Sequence, residues 1–153
     1  MWQKKGWEFM DRDFPKISAD RMDKSAKIYS TAQKLIEDED YNSAINRAYY
    51  AVFHMITALL ILDKWNFKSH SAVISKFQQL YIKTRIFDKN LSDIIRDLYE
   101  YRNDSDYTDF FWASQEEAEA QIQNAKIFID TLKPYIEKRL DEYIENNYSE
   151  KGE

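Results

Sequence analysis

A chain of 153 residues is the size of one domain, long enough for one buried core and too short for two. With 44% apolar and 32% charged residues its composition is that of a globular protein, and the absence of cysteine excludes a disulfide framework, a thiolate metal site and a cysteine nucleophile. The net charge of −5 argues against a general DNA-coating protein, because counterion release rewards clustered lysine and arginine, and an acidic chain must build such a patch locally or at a dimer interface.

Two glycines and two prolines are too few for the turns of a β-rich chain, so helices joined by short polar connections are expected. Residues 1–17 form an aromatic-rich leader, with Trp2, Trp7, Phe9 and Phe14 set among charges. It opens on Met1-Trp2-Gln3-Lys4-Lys5 rather than an apolar run, so no targeting signal is read and a cytoplasmic address is expected. Ser18 is the expected N-cap of a first helix running to about Asp38, on Met22, Ala26, Tyr29 and Ile36.

The second helix starts near Asp40 and runs to about Lys64, on Tyr41, Ile45, Ala48, Val52, Met55, Leu59 and Leu62. Beyond Ala48 it is apolar on nearly every side, which makes it the central helix. The apolar stretch from Ala48 to Leu62 is interrupted by His54 and Thr57 and is short for a bilayer, so no membrane partner is expected. After Trp65-Asn66-Phe67-Lys68, Ser69 or Ser71 caps a third helix to about Thr84, with Val73, Ile74, Phe77, Leu80 and Tyr81 inward.

A fourth helix spans about Asn90 to Asp104, on Leu91, Ile94, Ile95 and Leu98, and Asn103-Asp104-Ser105-Asp106 marks its end. Ser114 and Glu117 form a capping box for a last helix carrying Ala118, Ile122, Ala125, Ile129, Leu132 and Ile136, which Pro134 should kink. The expected fold is all-α, an antiparallel bundle of four to five helices over residues 18–140, followed by an acidic, frayed tail at 141–153.

Two places could carry chemistry. Arg102 extends the stripe of Leu91, Ile95 and Leu98, which turns its guanidinium toward the core or a partner. An unpaired ion there costs several kcal/mol, so it must meet a phosphate or a carboxylate such as that of Asp106, four residues on. On the second helix Arg47, Tyr50 and His54 share a face, and Asn46 lies four residues before Tyr50. A basic group, a phenol and an imidazole so aligned can grip a phosphate and move a proton, or simply cap the core. His70 stands at a helix start in Ser69-His70-Ser71, and with two histidines and no cysteine a closed zinc site within one chain is not expected.

The run Ala44-Ile45-Asn46-Arg47-Ala48-Tyr49-Tyr50-Ala51-Val52-Phe53 after Asp40-Tyr41 resembles the second helix of prokaryotic HEPN-domain proteins. Ser69-His70-Ser71, Lys83-Thr84, Arg102, Asp106-Tyr107, Asp109-Phe110 and Glu116-Glu117-Ala118 fit the same template in order, over about residues 20 to 136. The resemblance implies a bundle that dimerises, without a cofactor or metal, often encoded beside a minimal nucleotidyltransferase in a toxin–antitoxin pair. Active members are metal-independent ribonucleases in which an arginine steadies phosphate and a histidine, after four to six intervening residues, moves a proton. Arg102 matches that arginine, but Tyr107 occupies the histidine's place, and a phenol with a pKa near 10 is a poor base at neutral pH. The expected function is therefore a homodimeric module binding a nucleotide, an RNA end or a nucleotidyltransferase, with Arg102, Tyr107, Asp106, Asn46, Arg47 and Tyr50 as ligand-binding residues. The alternatives are an endoribonuclease toxin in which Tyr107 or His54 replaces the usual histidine, and a scaffold dimer in which Arg102 and Asp106 lock helices together.

Overall fold

In the computed structural model residues 13–107 and 112–151 are described, with side chains for all of these except 105–107 and 148–151. Among them are five helices and no strand: α1 (Phe14–Glu37), α2 (Tyr41–Leu62), α3 (His70–Phe77, extended by one π-helical turn at Gln78–Ile82), α4 (Asn90–Tyr107) and α5 (Gln115–Lys151). The all-α bundle expected from the sequence is what forms.

The helix starts follow the side-chain oxygens that cap them. Asp40 accepts from the Ser43 amide at 3.4 Å, Ser69 from Ala72 at 3.4 Å and Ser114 from Glu117 at 3.1 Å. α1 differs from expectation. It begins at Phe14, with Pro15 in the first turn, where a missing N–H costs no intrahelical bond. Ser18 is thus not a cap; it is fully buried and donates to the Ala58 carbonyl at 2.7 Å. At the other ends, α4 runs through Asn103-Asp104-Ser105-Asp106 to Tyr107, because a weak turn preference yields to a helix already anchored by Leu91, Ile95 and Leu98. α5 continues past residue 140 to Lys151, carrying Tyr143 onto Phe14, ring centres 4.9 Å apart.

Without an available glycine, two helices end on ordinary residues in the left-handed region. Glu39 (φ 61°) follows α1 and Lys64 (φ 62°) follows α2. In each case the next amide reaches back five residues, Asp40 to Leu35 at 2.9 Å and Trp65 to Leu60 at 3.0 Å, while Glu39 and Lys64 bond Ile36 and Ile61 at 3.0 Å. These are Schellman turns built at a steric cost that glycine would avoid. Arg85 (φ 62°) is left-handed too, in the turn after α3, where its amide bonds Ile82 at 2.9 Å and the Phe87 amide reaches Tyr81 at 2.8 Å.

α2 is the centre of the bundle and touches each of the other helices. At 22 residues it is long and apolar enough to cross a membrane by length and composition, but most of its apolar stretch is buried against its neighbours. Its contact with α1 is a seam of the smallest side chains. Ser18, Ser25 and Ala32 recur every seven residues on α1 and are fully buried, and Ala58, Ala51 and Ala44 answer them on the antiparallel α2. Ser25 donates to the Ala51 carbonyl at 2.6 Å as Ser18 does to that of Ala58. The apolar positions expected to carry α1 lie beside this seam: Met22, Tyr29 and Ile36 are half-buried and Ala26 is exposed. On the far side of α2, Phe77, Tyr81, Phe87, Phe128 and Tyr135 pack ring to ring, and Arg139 closes that end by donating to the Tyr81 hydroxyl at 2.7 Å and to Asp63 at 2.9 Å.

Candidate functional site

Burial of α2 is so nearly complete that its remaining accessible face is narrow. Between Ala44 and Leu62 only Asn46, Arg47, Tyr50, Phe53, His54 and Thr57 retain partial exposure. Their spacing of three and four residues makes them one stripe along the helix. α1 forms one wall of the stripe, while α4 and the start of α3 bring Arg102 and His70 to the other.

At the α4 side two guanidiniums meet one ring. Arg102, half-buried, holds its guanidinium carbon 5.3 Å from the centre of the Tyr49 ring and 5.4 Å from that of Tyr50. Arg47 approaches Tyr50 at 4.9 Å and donates from Nη2 to the Asn46 Oδ1 at 3.0 Å. Each contact is of the cation–π kind, which is attractive. Asn46, Arg47, Tyr50 and Arg102, far apart in sequence as two groups, are therefore brought together.

Two further residues complete this cluster, and sequence reasoning did not assign them to it. Tyr49 is fully buried, and its hydroxyl lies 2.7 Å from His70 Nδ1. Burial pushes the Tyr49 phenol well above its usual range, partly opposed by Arg102, so it keeps its proton, and the His70 tautomer decides which of the two donates. Where the phenol donates, His70 Nδ1 accepts and the neutral ring carries its N–H at Nε2. The His70 ring lies flat on Phe53 at 4.1 Å with 12° between planes, and Ser69 fixes it as the first residue of α3. Burial and then Arg102 hold the His70 pKa below its ordinary value. Ser69-His70-Ser71 was visible as a helix start; that His70 reaches Arg102 needs the tertiary fold.

His54 lies about one turn further along the stripe than Tyr50. Burial is the main cause that lowers its pKa to about 4, with Lys24, Arg21, Arg47 and His70 adding in the same direction. Arg21 is held by donation to the Thr57 carbonyl at 3.1 Å and to Asn66 Oδ1 at 3.4 Å. Asp106 and Tyr107 fall in the last turn of α4 and their side chains lie outside the described residues, as do Asp109 and Phe110. Beyond them the Ala113 amide donates to Asn42 Oδ1 at 2.8 Å, tying the chain that follows to the start of α2.

Charge is sorted around this stripe. A recess between α4 and α5 is lined by Asp97, Glu100, Asp104 and Glu117, whereas Arg21, Lys24 and Arg47 have no carboxylate at ion-pair distance among the described residues. A chain that is acidic overall thus collects cations along one helix face, which is the local patch an anionic ligand requires.

The HEPN domain family model matches residues 18–138. The chain is 33% identical over 115 residues to "Putative toxin MJ0142" of Methanocaldococcus jannaschii, covering 75% of this chain and 78% of that protein. It is 35% identical over 111 residues to "Putative toxin MJ0605" of the same organism, covering 72% and 82%, and 32% identical over 106 residues to a UPF0332 protein of Thermotoga maritima, covering 69% and 80%.

Proposed function

Because the chain belongs to the HEPN domain family, we propose that it is the toxin-type member of a toxin–antitoxin pair, a nucleotide- or RNA-binding module whose Arg102 holds phosphate. The observation that carries this reading is the convergence of Arg102 and Arg47 on Tyr50 in an acidic protein. Two guanidiniums around one phenol repel each other, and a phosphate between their outer edges would turn that repulsion into charge-assisted hydrogen bonds. Where Tyr49 donates to His70, the Nε2–H of His70 supplies a further donor, Asn46 sets the rotamer of Arg47, and the half-exposed Phe53 borders the site with one ring face on His70. In this reading the module works in the cytoplasm as a homodimer, and its partner is a minimal nucleotidyltransferase.

The test is binding of ATP and of a labelled RNA to the wild type and to Arg102→Ala, with melting temperature as the control for folding. The expected result is at least a tenfold loss of affinity for the variant, with a melt within a few degrees of the wild type. Equal affinity would refute the role of Arg102, and a collapsed melt would show a structural arginine instead.

One observation favours a second reading, metal-independent RNA cleavage. His70, rather than His54, is the histidine beside Arg102, and as a neutral ring it can take part in proton transfer near pH 7. Cleavage of RNA in EDTA by the wild type, lost in both Arg102→Ala and His70→Asn, would establish it. Intact RNA at high protein concentration would reject it.

A further inference from the structure

We infer that the binding stripe continues from Arg102 and Arg47 to a second anion position that Arg21 and Lys24 form beside His54, so that it takes a single-stranded oligonucleotide rather than a mononucleotide. This rests on the phosphate-binding reading of Arg102 and names its substrate class.

Three observations lead there. Arg21 and Lys24 are one turn apart on α1, on its side toward the α2 stripe, and Arg21 is fixed in place by its bond to the Thr57 carbonyl. Neither they nor Arg47 has a carboxylate partner among the described residues, although acidic residues outnumber basic ones in the chain, 27 to 22. The bonds of Arg21 and Arg47 go to neutral oxygens, which orient the guanidiniums without neutralising them. Between these cations stands His54, which they and burial keep uncharged at neutral pH, so it adds no repulsion of its own and can still hydrogen-bond.

The length of the stripe then limits the ligand. From Arg47 to Thr57, where Arg21 docks, is ten residues of helix, roughly 15 Å at about 1.5 Å per residue. A stacked strand advances roughly 3.4 Å per nucleotide, so about four or five nucleotides span that distance and one does not. Aromatic rings lie between the two cationic ends, Tyr50 and Phe53 on α2 and His70 against them, with Phe53 and His70 already stacked. Basic side chains interleaved with aromatic ones are the pattern that binds single strands with little preference for sequence.

The experiment measures fluorescence anisotropy of a labelled octauridylate and a labelled diuridylate against the wild type, Lys24→Glu and Arg102→Ala, over a salt series. Lys24 is exposed and donates no hydrogen bond among the described residues, so its substitution leaves the fold intact, which a melt verifies. The expected result is that the octamer binds the wild type at least tenfold tighter than the dimer. Lys24→Glu should weaken the octamer at least fivefold and lower its salt slope by about 0.7 or more, the value for one phosphate contact on a single strand, while leaving the dimer unchanged. Arg102→Ala should weaken both ligands. An octamer bound no tighter than the dimer, or unaffected by Lys24→Glu while Arg102→Ala still weakens it, would overturn the second position and leave the Arg102 site standing. No binding by the wild type, or equal binding by all three proteins, would overturn both.

Discussion

His54 gives the fold a defined sensitivity to acid. Its pKa falls from 6.5 in an open chain to about 4 in the folded protein, so between those values the unfolded chain carries the extra proton. Stability therefore declines as pH drops from about 7 toward 4, and below 4 this residue adds no further loss. At pH 5 a shift of this size corresponds to roughly 2 kcal/mol, from about 1.4 kcal/mol for each pH unit separating the two states. The ring keeps some contact with water, which screens Lys24, Arg21 and Arg47, so about 1 kcal/mol is the expected effect. The assay is urea unfolding at pH 7.5 and pH 5.0 for the wild type and His54→Gln. Carboxylates and His70 contribute to both proteins alike, so the loss on acidification should be smaller in the variant by about 1 kcal/mol. Identical losses would refute the idea that α2 presents its histidine to a cationic, desolvated surface.

Glu39→Gly, Lys64→Gly and Arg85→Gly should each stabilise the protein by about 0.5–1 kcal/mol, because all three hold left-handed backbone without a glycine, and thermal melts would detect the gain. Ser25→Ala should cost about 1 kcal/mol through its lost bond to the Ala51 carbonyl, whereas Ala51→Leu should cost several-fold more by forcing α1 from α2; denaturant midpoints separate the two. Arg139→Met should destabilise by about 1–3 kcal/mol, since Asp63 and Tyr81 lose their shared donor, without changing affinity for RNA in a titration.

The fold was legible where side chains declare themselves. Asp40, Ser69 and Ser114 announce helix starts through their oxygens, and Leu91, Ile95 and Leu98 sit where periodicity puts them. It was less legible where burial depends on size rather than polarity. Ser18 and Ser25 read as polar, yet they lie at the closest contact in the bundle because small side chains with one donor suit a helix–helix seam. Asn103 to Asp106 read as a terminus, yet packing carried the helix through them. In the site, the face shared by Arg47, Tyr50 and His54 followed from spacing alone, as did the inward turn of Arg102. That Arg102 lands on Tyr49 and Tyr50, that His70 meets Tyr49, and that Arg21 and Lys24 flank His54 are facts of helix docking, which spacing within one helix does not encode.

The seam of Ser18, Ser25 and Ala32 against Ala58, Ala51 and Ala44 also governs how this wall of the stripe can respond to a ligand. Where bulky side chains separate two helices, rotamer changes let them slide or spread. Along this seam nothing longer than a hydroxymethyl group stands between the backbones, and the two serine hydroxyls are already held by the Ala58 and Ala51 carbonyls. Arg21 and Lys24 are thus carried on a jaw of fixed gape. A strand that docks must supply the adaptation itself and bear the loss of conformational freedom, while the protein loses little, which favours rapid capture and weak discrimination among flexible sequences.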